Sequence, residues 1–159
     1  MLRTNFNPMM LTLLLLAGSV ATAHADNAGA RVTPLPKYQQ ECASCHMAYP
    51  PGMLPAASWQ RMMGSLNKHF GTDASLDEAS VREISGWLKT NAATYKRVSE
   101  EPPQDRITKS AWFLRKHNAQ EVPPAVWKRA AVGNASNCAA CHTNAARGNF
   151  SERDIKIPK

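Results

Sequence analysis

After its first 17 residues the chain has no apolar run long enough to cross a bilayer, so its body is not built as a membrane span. It lacks strict apolar/polar alternation, which excludes half-buried strands. Paired carboxylates and nucleophile–base groupings are missing, which removes the ordinary routes to hydrolysis. Acidic residues are few: 12 Asp and Glu stand against 19 Lys and Arg, for a formal net charge of +7. The basic residues are scattered rather than clustered, so the excess suits an acidic protein partner and not nucleic acid. No methionine follows Met63. There are only four cysteines, and none is spare.

All four fall in two copies of one pattern, Cys42-Ala43-Ser44-Cys45-His46 and Cys138-Ala139-Ala140-Cys141-His142. C-x-x-C-H is the attachment sequence for c-type haem. Each thiol adds across one haem vinyl group, and the adjacent histidine lies where its imidazole binds the iron. A zinc ribbon wants its cysteine pairs about 15–20 residues apart, whereas residues 46–137 separate these. A thioredoxin-like dithiol wants a βαβ context, and none is visible. A disulfide within C-x-x-C closes too little chain to stabilise much. The reading is therefore two covalently bound haem c groups, anchored by Cys42, Cys45, Cys138 and Cys141.

The start of the chain agrees with that chemistry. Residues 1–25 read as a secretory signal. Arg3 supplies the positive start, Met9 to Ala17 a short apolar run, and Ala23-His24-Ala25 the small residues at a cleavage site. Export to a bacterial periplasm follows, leaving residues 26–159 with no membrane span.

The remainder reads as all-α, with few or no strands. The acidic, proline-rich break Glu100-Glu101-Pro102-Pro103 divides it into two haem-binding halves, 26–99 and 100–159. A helix from Leu35 to His46 is expected to carry the first attachment site. Pro55 opens a second helix whose Trp59, Met62, Leu66 and His69 share one face, with Gly71 as its left-handed stop. Ser75 with Glu78 makes a capping-box signature for a third, striped by Ile84, Trp87, Leu88, Ala92 and Tyr95. Asp105 or Thr108 caps a short helix through Trp112 and Phe113 to His117. Pro123-Pro124 starts another, with Trp127, stopped by Gly133. Ser136 or Asn137 begins a helix bearing the second site, and Phe150 to Lys159 is a surface tail.

Processing leaves four histidines. His46 and His142 are fixed as proximal ligands by their motifs. One imidazole is then spare in each half: His69 for the first haem and His117 for the second. A crossed pairing stays open. Met53, Met62 and Met63 are rival sixth ligands for the first haem, although methionine on a helix stripe is more often core filler. The second half offers no thioether at all. Two imidazoles give a lower potential than His/Met. Trp59, Trp87, Trp112 and Trp127 are expected to pack around the porphyrins. Tyr38 and Tyr49 flank the first site as candidates to bond a propionate.

Three segments carry a resemblance to a known family: W-Q-R-M-M-G-S-L-N-K-H-F at 59–70, R-I-T-K-S-A-W-F at 106–113, and N-C-A-A-C-H through F-S-E-R-D-I-K-I-P-K at the end. Together they resemble the small dihaem cytochromes c of the DHC type. The resemblance implies a first half similar to class I cytochrome c and bis-histidine haems pairing His46 with His69 and His142 with His117. It also implies electron delivery to a high-spin, oxygen-binding cytochrome c, the sphaeroides haem protein.

Three functions are then weighed. A periplasmic carrier, taking electrons from a membrane donor to a soluble haem protein, has no substrate of its own. A dihaem peroxidase or small-molecule reductase needs an open iron position. A gas-binding module needs a labile sixth ligand, for which His117 is the candidate. The histidine count favours the carrier.

Overall fold

A computed structural model describes residues 32–94, 98 and 100–159. The signal sequence assigned to 1–25 and the stripe residue Tyr95 lie outside the described residues. The fold is all-helical: five short α-helices are joined by single 3-10 turns, with no strand among the described residues.

Helix α1 (Pro36–Cys42) starts on a proline at its first turn, where the missing N–H costs nothing. It stops at the first attachment cysteine instead of running on to His46. The Ser44 hydroxyl donates to the Glu41 carbonyl (3.1 Å), a local bond that competes with further helix. Helix α2 (Ala56–Met63) is likewise shorter than its apolar stripe. The Ser65 hydroxyl donates to Arg61 O (2.9 Å), and a separate 3-10 turn, Leu66–Lys68, leads to His69. Phe70 (φ 50°) and Gly71 (φ 99°) then make a tight reversal, closed by Thr72 N–H donating to His69 O (3.0 Å). Two positive φ values in succession are those of a type I′ turn, which glycine enters freely and phenylalanine only under strain.

Helix α3 (Glu78–Asn91) begins two residues later than the Ser75 signature predicts. Asp77 is its cap: one carboxylate oxygen accepts from Ser80 N–H (3.0 Å) and the other from the Ser80 hydroxyl (2.6 Å). Ser75 spends both its backbone N–H and its hydroxyl on Asp73. On the inner face of α3, Ser80, Ile84 and Leu88 are buried at intervals of one turn.

The main core gathers Tyr38, Leu54, Trp59, Met63, Ile84, Leu88 and Ala92, with Ile107 packed against it. Trp59 sits inside this core, where its indole N–H donates to Pro51 O (2.7 Å). Trp87 packs on Tyr38, with ring centroids 4.9 Å apart. Both tryptophans thus pack on the core of the first half.

The second half is more thinly built. Helix α4 (Ala111–Lys116) is capped by Ser110, not Asp105 or Thr108, and ends at His117. Helix α5 (Pro124–Trp127) is one turn long. Its neighbours reach Gly133 with φ 72°, the left-handed stop expected there. The second attachment site rides on a 3-10 turn, Cys138–Ala140, rather than a full helix. Phe113, Val126, Val132 and Ala145 are its fully buried apolar residues. So small an apolar set stabilises little alone.

Several links join the halves, among them Ile107 on the first half's core and Arg106 over the Phe70 ring (4.2 Å). Arg61 grips Asp105 with two nitrogens (3.0 and 2.5 Å) and reaches Glu101 (2.7 Å). The Trp112 indole donates to Met53 O (3.3 Å). The Tyr49 hydroxyl donates to Ser136 O (2.8 Å).

Candidate haem centres

Helix α1 delivers Cys42, and the turn beyond it presents Cys45 and His46. The proximal candidate His46 donates from Nδ1 to Met47 O (2.7 Å), which leaves Nε2 free with its lone pair. The tight turn at Phe70 brings His69 to face it. The two ring centroids are 6.1 Å apart, with planes 26° from parallel. Burial, reinforced by His46 and Arg106, pushes the His69 pKa down and favours the neutral imidazole that binds metals.

The second half repeats this relation with different parts. His142 follows the 3-10 turn of Cys138–Ala140 and is bridged to Ile155 of the tail. Lys156 N–H also donates to Cys141 O (2.9 Å), and Arg129 donates to Pro158 O (2.5 Å). The tail is thus a strap over the second attachment turn. His117 stands at the end of α4, its centroid again 6.1 Å from His142, with planes 69° apart. Its Nδ1–H donates to Phe113 O (3.0 Å). Burial lowers the pKa of both, opposed at His117 by that hydrogen bond and reinforced at His142 by its partner imidazole.

Two metal–nitrogen bonds of about 2 Å, added to the two half-rings, come to about 6 Å. Each histidine pair therefore has the separation of two imidazoles on opposite sides of one iron. Each pair also offers a metal only two donors, which suits a metal whose other ligands lie in a planar macrocycle. His69 and His142 each hold a buried Nδ1 with no hydrogen-bond partner among the described residues. Buried polar nitrogens of this kind call for a partner. The side chains present fit haem at both places.

The anchors are consistent with this. The four thiols are not joined to one another. Burial, with Glu41 nearby, pushes the Cys42 thiol up to about 11, and burial raises Cys138 and Cys141 as well. The methionine rivals are placed differently. Met63 is buried in the core, and Met62 packs against that core while lining a small hollow beside His69 and Phe70.

The sequence model of the dihaem cytochrome c family, DHC, matches residues 38–150. The chain belongs to the dihaem cytochrome c family. It therefore carries two covalently bound haem c groups. The solved structures agree. The chain is 46% identical to the diheme cytochrome c from Rhodobacter sphaeroides, covering 75% of this chain and 98% of that one at a TM-score of 0.67. A second structure, DHC purified from Rhodobacter sphaeroides, is 48% identical over 75% of this chain and 99% of its own, at 0.65. The diheme cytochrome c of Shewanella baltica is 40% identical over 77% and 92%, at 0.68. Among curated proteins nothing matches this chain.

Sequence reading missed two features of the dihaem centres. Phe113 stacks on His117, and its signal was the four-residue spacing on a predicted helix. Tyr38 and Tyr49 both donate to backbone carbonyls, Tyr38 to Tyr49 O (2.7 Å) and Tyr49 to Ser136 O.

Proposed function

We propose that the protein is an electron carrier in which His46 and His69 bind one haem iron and His142 and His117 the other. The observation that carries this reading is the separation of 6.1 Å recurring in both histidine pairs. Bound haem iron supplies a one-electron ferrous/ferric couple. With haem bound, the chain's own contribution would be to hold two neutral imidazoles to each iron, so that no small molecule reaches the metal. His46 and His117 are held in the Nδ1–H tautomer by carbonyls, which orients Nε2 for binding. Two imidazole ligands place both centres at low potential.

The first half, 26–99, acts as a haem unit similar to class I cytochrome c, and 100–159 as the second unit. Residues 1–25 direct export to the periplasm. No helix among the described residues is long and apolar enough to cross a membrane. Electrons arrive from a membrane donor and leave to a soluble haem protein with an acidic face, which the net positive charge attracts.

Carbon monoxide tests the reading. The reduced protein at neutral pH is expected to leave its spectrum unchanged under the gas. Prompt binding at either haem would mean an open iron, and the carrier would give way to a reductase or gas-binding protein.

A further inference from the structure

We infer that Tyr49 is the positioning residue that fixes the two haem-anchoring turns relative to each other. The inference rests on the two-centre reading above and adds to it what holds the centres in register.

Tyr49 lies three residues beyond His46, and its ring packs on that imidazole with centroids 5.0 Å apart and planes at 32°. Its hydroxyl reaches across 87 residues of sequence to donate to Ser136 O at 2.8 Å. That carbonyl also accepts from the backbone N–H of Cys138 (2.9 Å) and lies 3.6 Å from the Cys138 sulfur. The acceptor is thus part of the second attachment turn itself. At the other end the Tyr49 carbonyl accepts from the hydroxyl of Tyr38, a residue only 4% exposed on the helix that ends at Cys42.

An unbroken series of bonds therefore runs from the first anchoring helix, through Tyr38 and Tyr49, to the second anchoring turn. Other links between the halves end away from the second attachment turn: Arg61 holds the linker, Arg106 lies over the Phe70 ring, Ile107 packs on the core, and Trp112 ties α4 to Met53. The second turn needs such a hold. It is a single 3-10 turn, and its half has little apolar core. One aromatic ring in contact with the first proximal imidazole and hydrogen-bonded to the second turn sets the spacing of both centres.

The test uses the haem-loaded protein with Tyr49→Phe, which keeps the ring and removes the hydroxyl. Both haems should attach and remain low-spin. Amide exchange at residues 138–142 should quicken about fivefold, the change that loss of one hydrogen bond worth ~1 kcal/mol produces. Paramagnetic resonance of the fully oxidised protein should show a broader spread of dipolar coupling between the two ferric centres. Tyr49→Leu should also shift the low-spin signal of the first centre. Tyr38→Phe should move exchange and coupling the same way by less, and it decides the question if Tyr49→Phe does not mature. Wild-type coupling and wild-type exchange in Tyr49→Phe overturn the inference. A high-spin centre in the wild-type protein instead overturns the bis-imidazole reading, and the exchange measurement still decides Tyr49.

Discussion

Phe113 and His117 lie face to face, with ring centroids 4.0 Å apart and planes 14° from parallel. They are one turn apart on α4 and its end, so the stack and the bond from His117 Nδ1 to Phe113 O share one origin. A single residue thereby fixes both the tilt and the tautomer of an imidazole. Trp127 of α5 closes the side, 6.1 Å from His117 and 6.4 Å from Phe113.

Phe113→Ala removes a buried ring, and such truncations cost about 3–5 kcal/mol. Thermal unfolding should show that loss. The low-spin signal of the second haem should broaden while the first is unchanged. Phe113→Leu should recover most of the stability but not the sharp signal, because it fills the space without the flat face.

His69→Ala should turn one haem high-spin and leave the other low-spin, and His117→Ala should do the same to the other haem. Visible and magnetic spectra of the purified variants report it directly. Two low-spin haems surviving in both variants would refute the ligand assignment. A crossed pairing would instead turn the second haem high-spin in His69→Ala and the first in His117→Ala.

Arg61→Met should lower the melting temperature by releasing Asp105 and Glu101 from α2. The guanidinium is exposed, so its attraction is screened by salt. The gap between variant and wild type should narrow in melts at high ionic strength. A gap independent of salt would assign the effect to packing.

Acid should weaken the start of α3. The Ser80 hydroxyl and N–H hold the Asp77 carboxyl below its ordinary value. A carboxyl depressed on folding contributes stability above its unfolded value of about 3.9 and loses it as pH falls through the lower folded value. Asp77→Asn keeps a capping oxygen without the titration. The wild type's advantage over Asp77→Asn should hold from neutral pH to about pH 5 and vanish below the folded value, as read by denaturant titrations at each pH. Asp105, lowered by Arg61, adds to the same acid sensitivity.

The chemistry of the anchors was legible because attachment is local: Cys42 to His46 and Cys138 to His142 carry their meaning within five residues. Helix content and the spare imidazoles were legible for a related reason, since periodic stripes place Trp59, Ile84 and Leu88 inward. Boundaries were less so. Ser75 and Asp77 are both good caps, and only the prior claim of Asp73 on Ser75 decides between them. The helix expected through His69 breaks at Ser65, whose hydroxyl bonds to a carbonyl one turn back. The partners of Tyr38 and Tyr49 depend on contacts between distant segments, and no short pattern encodes those. The same holds for the tail. Its composition says only polar and basic, while its backbone reaches Cys141, His142 and Arg129.

That strap gives the two attachment turns different supports. The first attachment helix leans on the packed core through Tyr38 and Cys42. The second turn is tied to the tail by main-chain bonds from Ile155, Lys156 and Pro158 and by the Lys116–Glu152 ion pair (2.8 Å). A protease nick between Phe150 and Ile155 would free the strap while the first site stayed whole. Such a molecule would keep the support of its first attachment turn and lose that of the second.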